Sequence, residues 1–295
     1  MTPFHRILFP IDFSAAASDL APSVREIAGR FHAAVTVLHA FTFVPDCGWP
    51  PYGGPECTWE HTGIPYTKAA EELRADRQQL LDEFANDRFA GVGHRARIED
   101  GEAAAVIEWV AQREETDLIV MPTSGHGKFR RLLLGSVTAK VLHDISCPVL
   151  TSAHQPESAP VRSPGYRSIL CAVELNREGE QILEAGRLLA RWYGARLCLV
   201  HIEADSAGGA AGREATSEML RQTFRQELEE CECAGVEVTI RVLDASVSEG
   251  IRRTAIEEEA DLVVVGRGHE KETLSRLWSQ LYTIIRESPC PVLSV

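Results

Sequence analysis

Short apolar runs alternate with amphipathic stretches along the whole chain. Residues 7–11 (ILFPI) and 35–40 (VTVLHA) are of strand length and largely apolar. Between them Leu20, Val24, Ile27, Ala28 and Phe31 recur at helical spacing behind Ser14, a candidate N-cap. Pro22 falls inside this helix beyond its first turn, which predicts a kink or a late start. Further helices are predicted over 67–89 (on Leu73, Leu80 and Phe84), 103–115 and 136–144. Strands are predicted near 95–98, over 118–121 and over 149–151. Fully apolar strands separated by helices imply a parallel sheet covered on both faces.

The pattern is written twice. RILFPID (6–12) matches SILCAVE (168–174), and the same offset of 162 carries His39 onto His201. TDLIVM (116–121) matches ADLVVV (260–265) at an offset of 144, and SCPVL (146–150) matches PCPVL (289–293) close to it. The first half therefore carries about 18 extra residues, most of them in 44–65. In the second half Leu220, Phe224, Leu228 and Cys231 line the second helix. The expected fold class is α/β, with two doubly wound five-stranded parallel-sheet domains in tandem. Their expected bounds are 1–154 and 166–295, joined by a proline- and serine-rich linker at 155–165.

At 295 residues and 44% hydrophobic, the chain has length for two domains. A net charge of -13 argues against nucleic acid and against anionic membranes as partners, since both reward basic patches. No apolar run approaches the roughly 18 residues of a membrane helix. The strand pattern begins at residue 7, so no leader is expected and the expected location is cytoplasmic. In a reducing compartment the eight cysteines are not expected to pair. Cys147 and Cys290, in matched segments, read as small apolar core residues, and the close pair Cys231 and Cys233 is placed near a helix end. Cys47, Cys57 and His61 share one loop, but their spacing fits no common zinc pattern and a fourth ligand is not evident.

Candidate chemistry concentrates in MPTSGHGKFRRLLLGS (121–136). A P-loop ending at Gly127-Lys128 would put Pro122 on its first glycine and Phe129 on the magnesium-binding Ser/Thr, so that reading fails twice. A plainer reading has Gly125 and Gly127 turning the chain and Ser136 capping the last helix.

The strand-end spacing P-x-x-G-x9-G-S, starting at Pro122, resembles the universal stress protein family, as do the early PID with Asp12 and the strand-ending His39. The resemblance covers both halves. It implies the adenine nucleotide alpha hydrolase-like sheet order 3-2-1-4-5, with ATP, possibly with magnesium, between strands 1 and 4. Carried over by position, Asp12 engages the ribose or adenine side, flanked by Pro10 and Ile11, and the backbone at Ala40 faces the base. Met121, Pro122, Ser124 and Gly125 border the ribose and phosphates. Gly135, Ser136, Val137 and Thr138 hold the phosphates. Helix N-termini and Cβ-free backbone suit an anion. Pro122 departs from the family glycine and lacks an N–H, so weakened or altered binding is expected. Lys128, Arg130 and Arg131 are available to compensate by charge.

The second half reads GRGHEKETLSRLWSQ (266–280) at this place. His269 stands where Gly125 does, Ser279-Gln280 replaces Gly-Ser, Glu270 and Glu272 add negative charge, and Glu174 replaces Asp12. That half is expected to be a degenerate packing partner. Neither half shows a catalytic constellation, and His39 and His201 read as structural. The resemblance thus implies a stress-response regulatory module with at most slow ATP hydrolysis. It also implies that the halves pair as an internal dimer, with a further homodimer as an option. The alternative is a nucleotide-independent interaction scaffold of the same fold. The insert around 49–59 is a candidate lid over the first crevice.

Overall fold

The computed structural model describes residues 4–42, 66–123, 134–152, 165–203, 209–267 and 274–295. The insert with Cys47, Cys57 and His61, the loop with Ser124, Gly125, Lys128, Arg130 and Arg131, the linker, and His269, Glu270 and Glu272 lie outside the described residues.

The first half runs β1 (Arg6–Pro10), α1 (Ala15–Phe31), β2 (Ala34–Phe41), α2 (Tyr66–Arg88), β3 (His94–Asp100), α3 (Ala103–Arg113), β4 (Leu118–Met121), α4 (Ser136–Asp144) and β5 (Val149–Thr151). The second runs β6 (Ser168–Ala172), α5 (Arg177–Tyr193), β7 (Arg196–Glu203), α6 (Gly209–Thr223), α7 (Arg225–Cys233), β8 (Val238–Asp244), α8 (Val247–Glu257), β9 (Leu262–Val265), α9 (Leu274–Glu287) and β10 (Val292–Ser294). Helix and strand alternate as the pattern predicts. Ser14 does cap α1, its hydroxyl accepting from Ala17 N at 3.3 Å, and the helix runs through exposed Pro22 with no late start. One predicted helix of the second half is two, α6 and α7, meeting at Phe224. Leu220, Phe224, Leu228 and Cys231 are nevertheless all buried. Among the described residues no helix is long and apolar enough to cross a membrane.

Each half has the strand order 3-2-1-4-5, but the two sheets are one. The order is β3-β2-β1-β4-β5-β10-β9-β6-β7-β8, parallel within each half and antiparallel only where β5 meets β10. Leu150 faces Leu293 at the centre of that junction. Thr151 Oγ1 donates to Val292 O and Ser294 Oγ donates to Val149 O, both at 3.2 Å, a twofold pair of bonds. The repeated aspartates act alike: Asp117 accepts from His5 N and Arg6 N, and Asp261 from Arg167 N and Ser168 N. Each carboxylate ties the entry of the first strand of its half to the fourth.

Because side chains alternate along a strand, Ile7 and Phe9 join one core layer and Leu8 the other. Each layer crosses the junction: Phe9 and Leu183 share one, Leu38 and Ile284 the other. On the first face Tyr193 Oη of the second half donates to Glu26 at 2.9 Å, and Arg30 covers the Tyr193 ring at 4.4 Å. Burial and Glu26 hold the Tyr193 phenol well above its usual range. Cys290 is buried and Cys147 half-buried, and burial pushes the Cys147 thiol up to about 11.

Helix α5 reaches the sheet through Gly186, where a Cβ would lie 2.2 Å from Cys171 Sγ on β6. Gly186→Ala is therefore expected to destabilise the protein by roughly 1–3 kcal/mol despite alanine's better helix propensity. Adding Cys171→Ala, which removes the obstructing sulfur, should recover much of that loss in a urea-unfolding double-mutant cycle. Strict additivity of the two changes would refute the contact.

Candidate functional site

Strands β1 and β4 are neighbours whose chains leave in opposite directions across the sheet, so a crevice opens beyond their C-terminal ends. One wall is the turn after β1. Pro10 is buried at the strand end, and Ile11 N prolongs the ladder to Leu38 O at 2.8 Å. Half-buried Asp12 accepts from Ser14 N at 2.9 Å, which bends the chain into α1. Phe13 takes up the left-handed φ of 58° that this bend requires.

His39, at the end of β2, secures the turn. Its Nδ1–H donates to Ile11 O at 2.9 Å, and its ring lies 4.7 Å from that of Phe13. Burial lowers its basicity below the ordinary 6.5, helped by nearby Arg77 and opposed by the Ile11 bond and Asp12. The structural reading of His39 follows from this bond, and His201 makes the matching one to Val173 O at 2.8 Å. Ala40, next on β2, is half-buried and pairs with Glu99.

The other wall is the exit of β4 and the start of α4. Met121 ends β4 opposite Thr151 and is buried with Pro122. Gly135 N donates to Thr123 O at 2.8 Å, bringing the returning chain back beside β4. The N-cap of α4 is Gly135 itself, at φ -61° and ψ 144°, and it offers no side-chain cap. Ser136, the candidate cap, is instead the first helical residue and is exposed. The first-turn amides of Ser136, Val137 and Thr138 thus have no side-chain acceptor from the N-cap, at the positive end of the helix dipole. The Thr138 hydroxyl does not point outwards: it is buried and donates to Pro122 O at 3.1 Å. The structure thus places Pro10, Ile11 and Asp12 on one wall, and Met121, Pro122, Gly135, Ser136, Val137 and Thr138 on the other. Ser124 and Gly125 lie outside the described residues.

The corresponding crevice of the second half is a cavity of about 90 Å³ whose rim carries Glu174, Glu178 and Gln280. Glu178 lies flat over Gly266, where a Cβ would come within 2.5 Å of its Oε1. Its counterpart at the offset of 162 is Ala16, a signal present in the repeat itself. Glu174 and Glu178 put two carboxylates on this rim, which disfavours an anion there.

Comparison with known proteins is consistent with this geometry. The profile of the universal stress protein family matches residues 3–152 and 165–295. The chain belongs to the universal stress protein family. Universal stress protein MJ0531 of Methanocaldococcus jannaschii is 29% identical over 147 residues, half of this chain and 81% of that protein. A universal stress protein of Thermus aquaticus is 32% identical over 147 residues, again half of this chain and 97% of that protein. In fold, the chain is similar to a universal stress protein from Archaeoglobus fulgidus, with a TM-score of 0.71 and 18% identity over 98% of this chain and 95% of that one. In this universal stress protein, then, both tandem domains carry the family fold, and in the first of them α4 begins on a glycine N-cap.

Because burial favours neutral His39, its contribution to stability is complete above about pH 6.5 and is lost as pH falls through its lower folded-state value. His39→Gln, which keeps a donor for Ile11 O, should flatten the fall in urea midpoint between about pH 7 and pH 5. An unchanged difference between wild type and variant across that window would contradict the assignment.

Proposed function

We propose that the first half binds ATP or a related adenine nucleotide, as a regulatory module rather than an enzyme, and that the second half is its packing partner in an internal dimer. The observation that carries this reading is the glycine N-cap of α4. A helix that begins on a residue without a side chain, at the switch point of an open sheet, presents backbone N–H groups and a positive dipole to an anion. Asp12 stands across the crevice, where a carboxylate suits ribose hydroxyls and repels phosphates. That polarity orients a nucleotide with its phosphates towards α4. Where a metal accompanies the phosphates, it adds positive charge at that same end. Glu174 and Glu178 close the second crevice to the same ligand.

The scaffold alternative has its own support in Pro122. Buried and without an N–H, it gives its carbonyl to Thr138, so this corner of the loop offers a ligand one donor fewer. Isothermal titration with ATP–magnesium separates the two readings. The wild type is expected to give saturable heat below about 1 mM ATP. Gly135→Asp is expected to weaken binding roughly tenfold or more, since a carboxylate then occupies the anion end. Aspartate is a good N-cap, so the melting temperature of that variant should hold or rise. A wild type with no saturable heat in that range would leave the scaffold reading.

A further inference from the structure

Helix α4 is held at both ends by the second half. At its C-terminal end the guanidinium of Arg267, 4% exposed, donates to Ile145 O and Cys147 O of the first half. Its other bonds, to Ser294 Oγ at 3.2 Å and Ser294 O at 3.0 Å, anchor it in β10. At the N-terminal end Tyr282 of α9 donates its hydroxyl to Leu134 O at 2.9 Å. That carbonyl belongs to the same peptide unit as Gly135 N–H, which donates to Thr123 O at 2.8 Å. The peptide entering the N-cap is thus fixed on one side by its own half and on the other by its neighbour.

The repeat makes the asymmetry plain. At the offset of 144, Arg267 corresponds to Thr123 and Tyr282 to Thr138. Thr138 bonds within its own half, to Pro122 O, and Thr123 O accepts Gly135 N there. In the second half the same two positions carry longer polar side chains that cross the junction. Where that half has lost the glycines of an anion loop, it has gained a grip on the other half's helix.

We propose that Tyr282 and Arg267 are positioning residues for the first crevice, setting the placement of the α4 N-terminus and with it the affinity for the phosphates. This rests on the nucleotide reading above. A peptide plane with one hydrogen bond fewer samples more orientations, and the first-turn amides turn with it, so a ligand must reorder them on binding.

Removing Arg267 would strand buried carbonyls and endanger folding, so Tyr282 provides the test. Tyr282→Phe deletes one hydroxyl, and Tyr193→Phe deletes the comparable hydroxyl that joins the halves on the opposite face of the sheet. In the full-length protein, titration with ATP–magnesium should show about fivefold weaker binding for Tyr282→Phe, as for one net hydrogen bond, and unchanged binding for Tyr193→Phe. Amide hydrogen exchange without nucleotide should be faster over residues 135–138 in Tyr282→Phe alone. Affinity and exchange both at wild-type values in Tyr282→Phe would overturn the proposal, as would equal weakening in both variants, which marks general loosening of the junction. A wild type that binds no ATP would overturn the nucleotide reading and the affinity claim with it. The exchange comparison would still decide whether Tyr282 places α4.

Discussion

The antiparallel pairing of β5 with β10 is the constraint on which the rest of the structure depends. Each of these strands has only three residues, and alone would be an exposed apolar edge. Paired, they turn two five-stranded sheets into one of ten and let both core layers run from half to half. The twofold bonds of Thr151 and Ser294 fix the register, and a slip of one residue would exchange every side chain between the two layers. The register also sets which helices meet across the junction. It brings Tyr193 to Glu26 on one face, and Arg267 and Tyr282 to the ends of α4 on the other.

Within this frame the two crevices share a backbone and differ in electrostatics. His39 and His201 secure the turn after the first strand of each half by the same bond to a backbone carbonyl. Beyond that point the first half starts α4 on a glycine N-cap, while the second lays Glu178 over Gly266 with Glu174 nearby. The duplicated fold thus keeps one scaffold, while the residues lining its two crevices differ. In the second half Arg267 and Tyr282 serve the junction.

Much of this was legible in the chain. Short apolar runs with intervening helices placed the first-half strands within a residue or two, β4 and β5 without error, and the internal match placed the two halves in tandem. The N-cap role of Ser14 and the buried stripe from Leu220 to Cys231 were readable because both depend on local spacing. The plainer reading of Ser136 as a cap fails because a cap is defined by backbone direction, and the bond from Gly135 N to Thr123 O sets that direction. Glu178 was overlooked because its effect lies in contact with Gly266, 88 positions along the chain. The single break at Phe224 left no signature, since a fully buried aromatic continues the apolar stripe through it.

The sequence by itself determined the α/β class and the two repeats, because each rests on periodicity or on a short motif. Only the tertiary structure decided that the two sheets are one, that the Thr138 hydroxyl faces inwards, and that Arg267 and Tyr282 reach across to α4. Those outcomes depend on which surfaces meet. Surfaces meet through burial and register summed over many residues, and no local spacing encodes that sum.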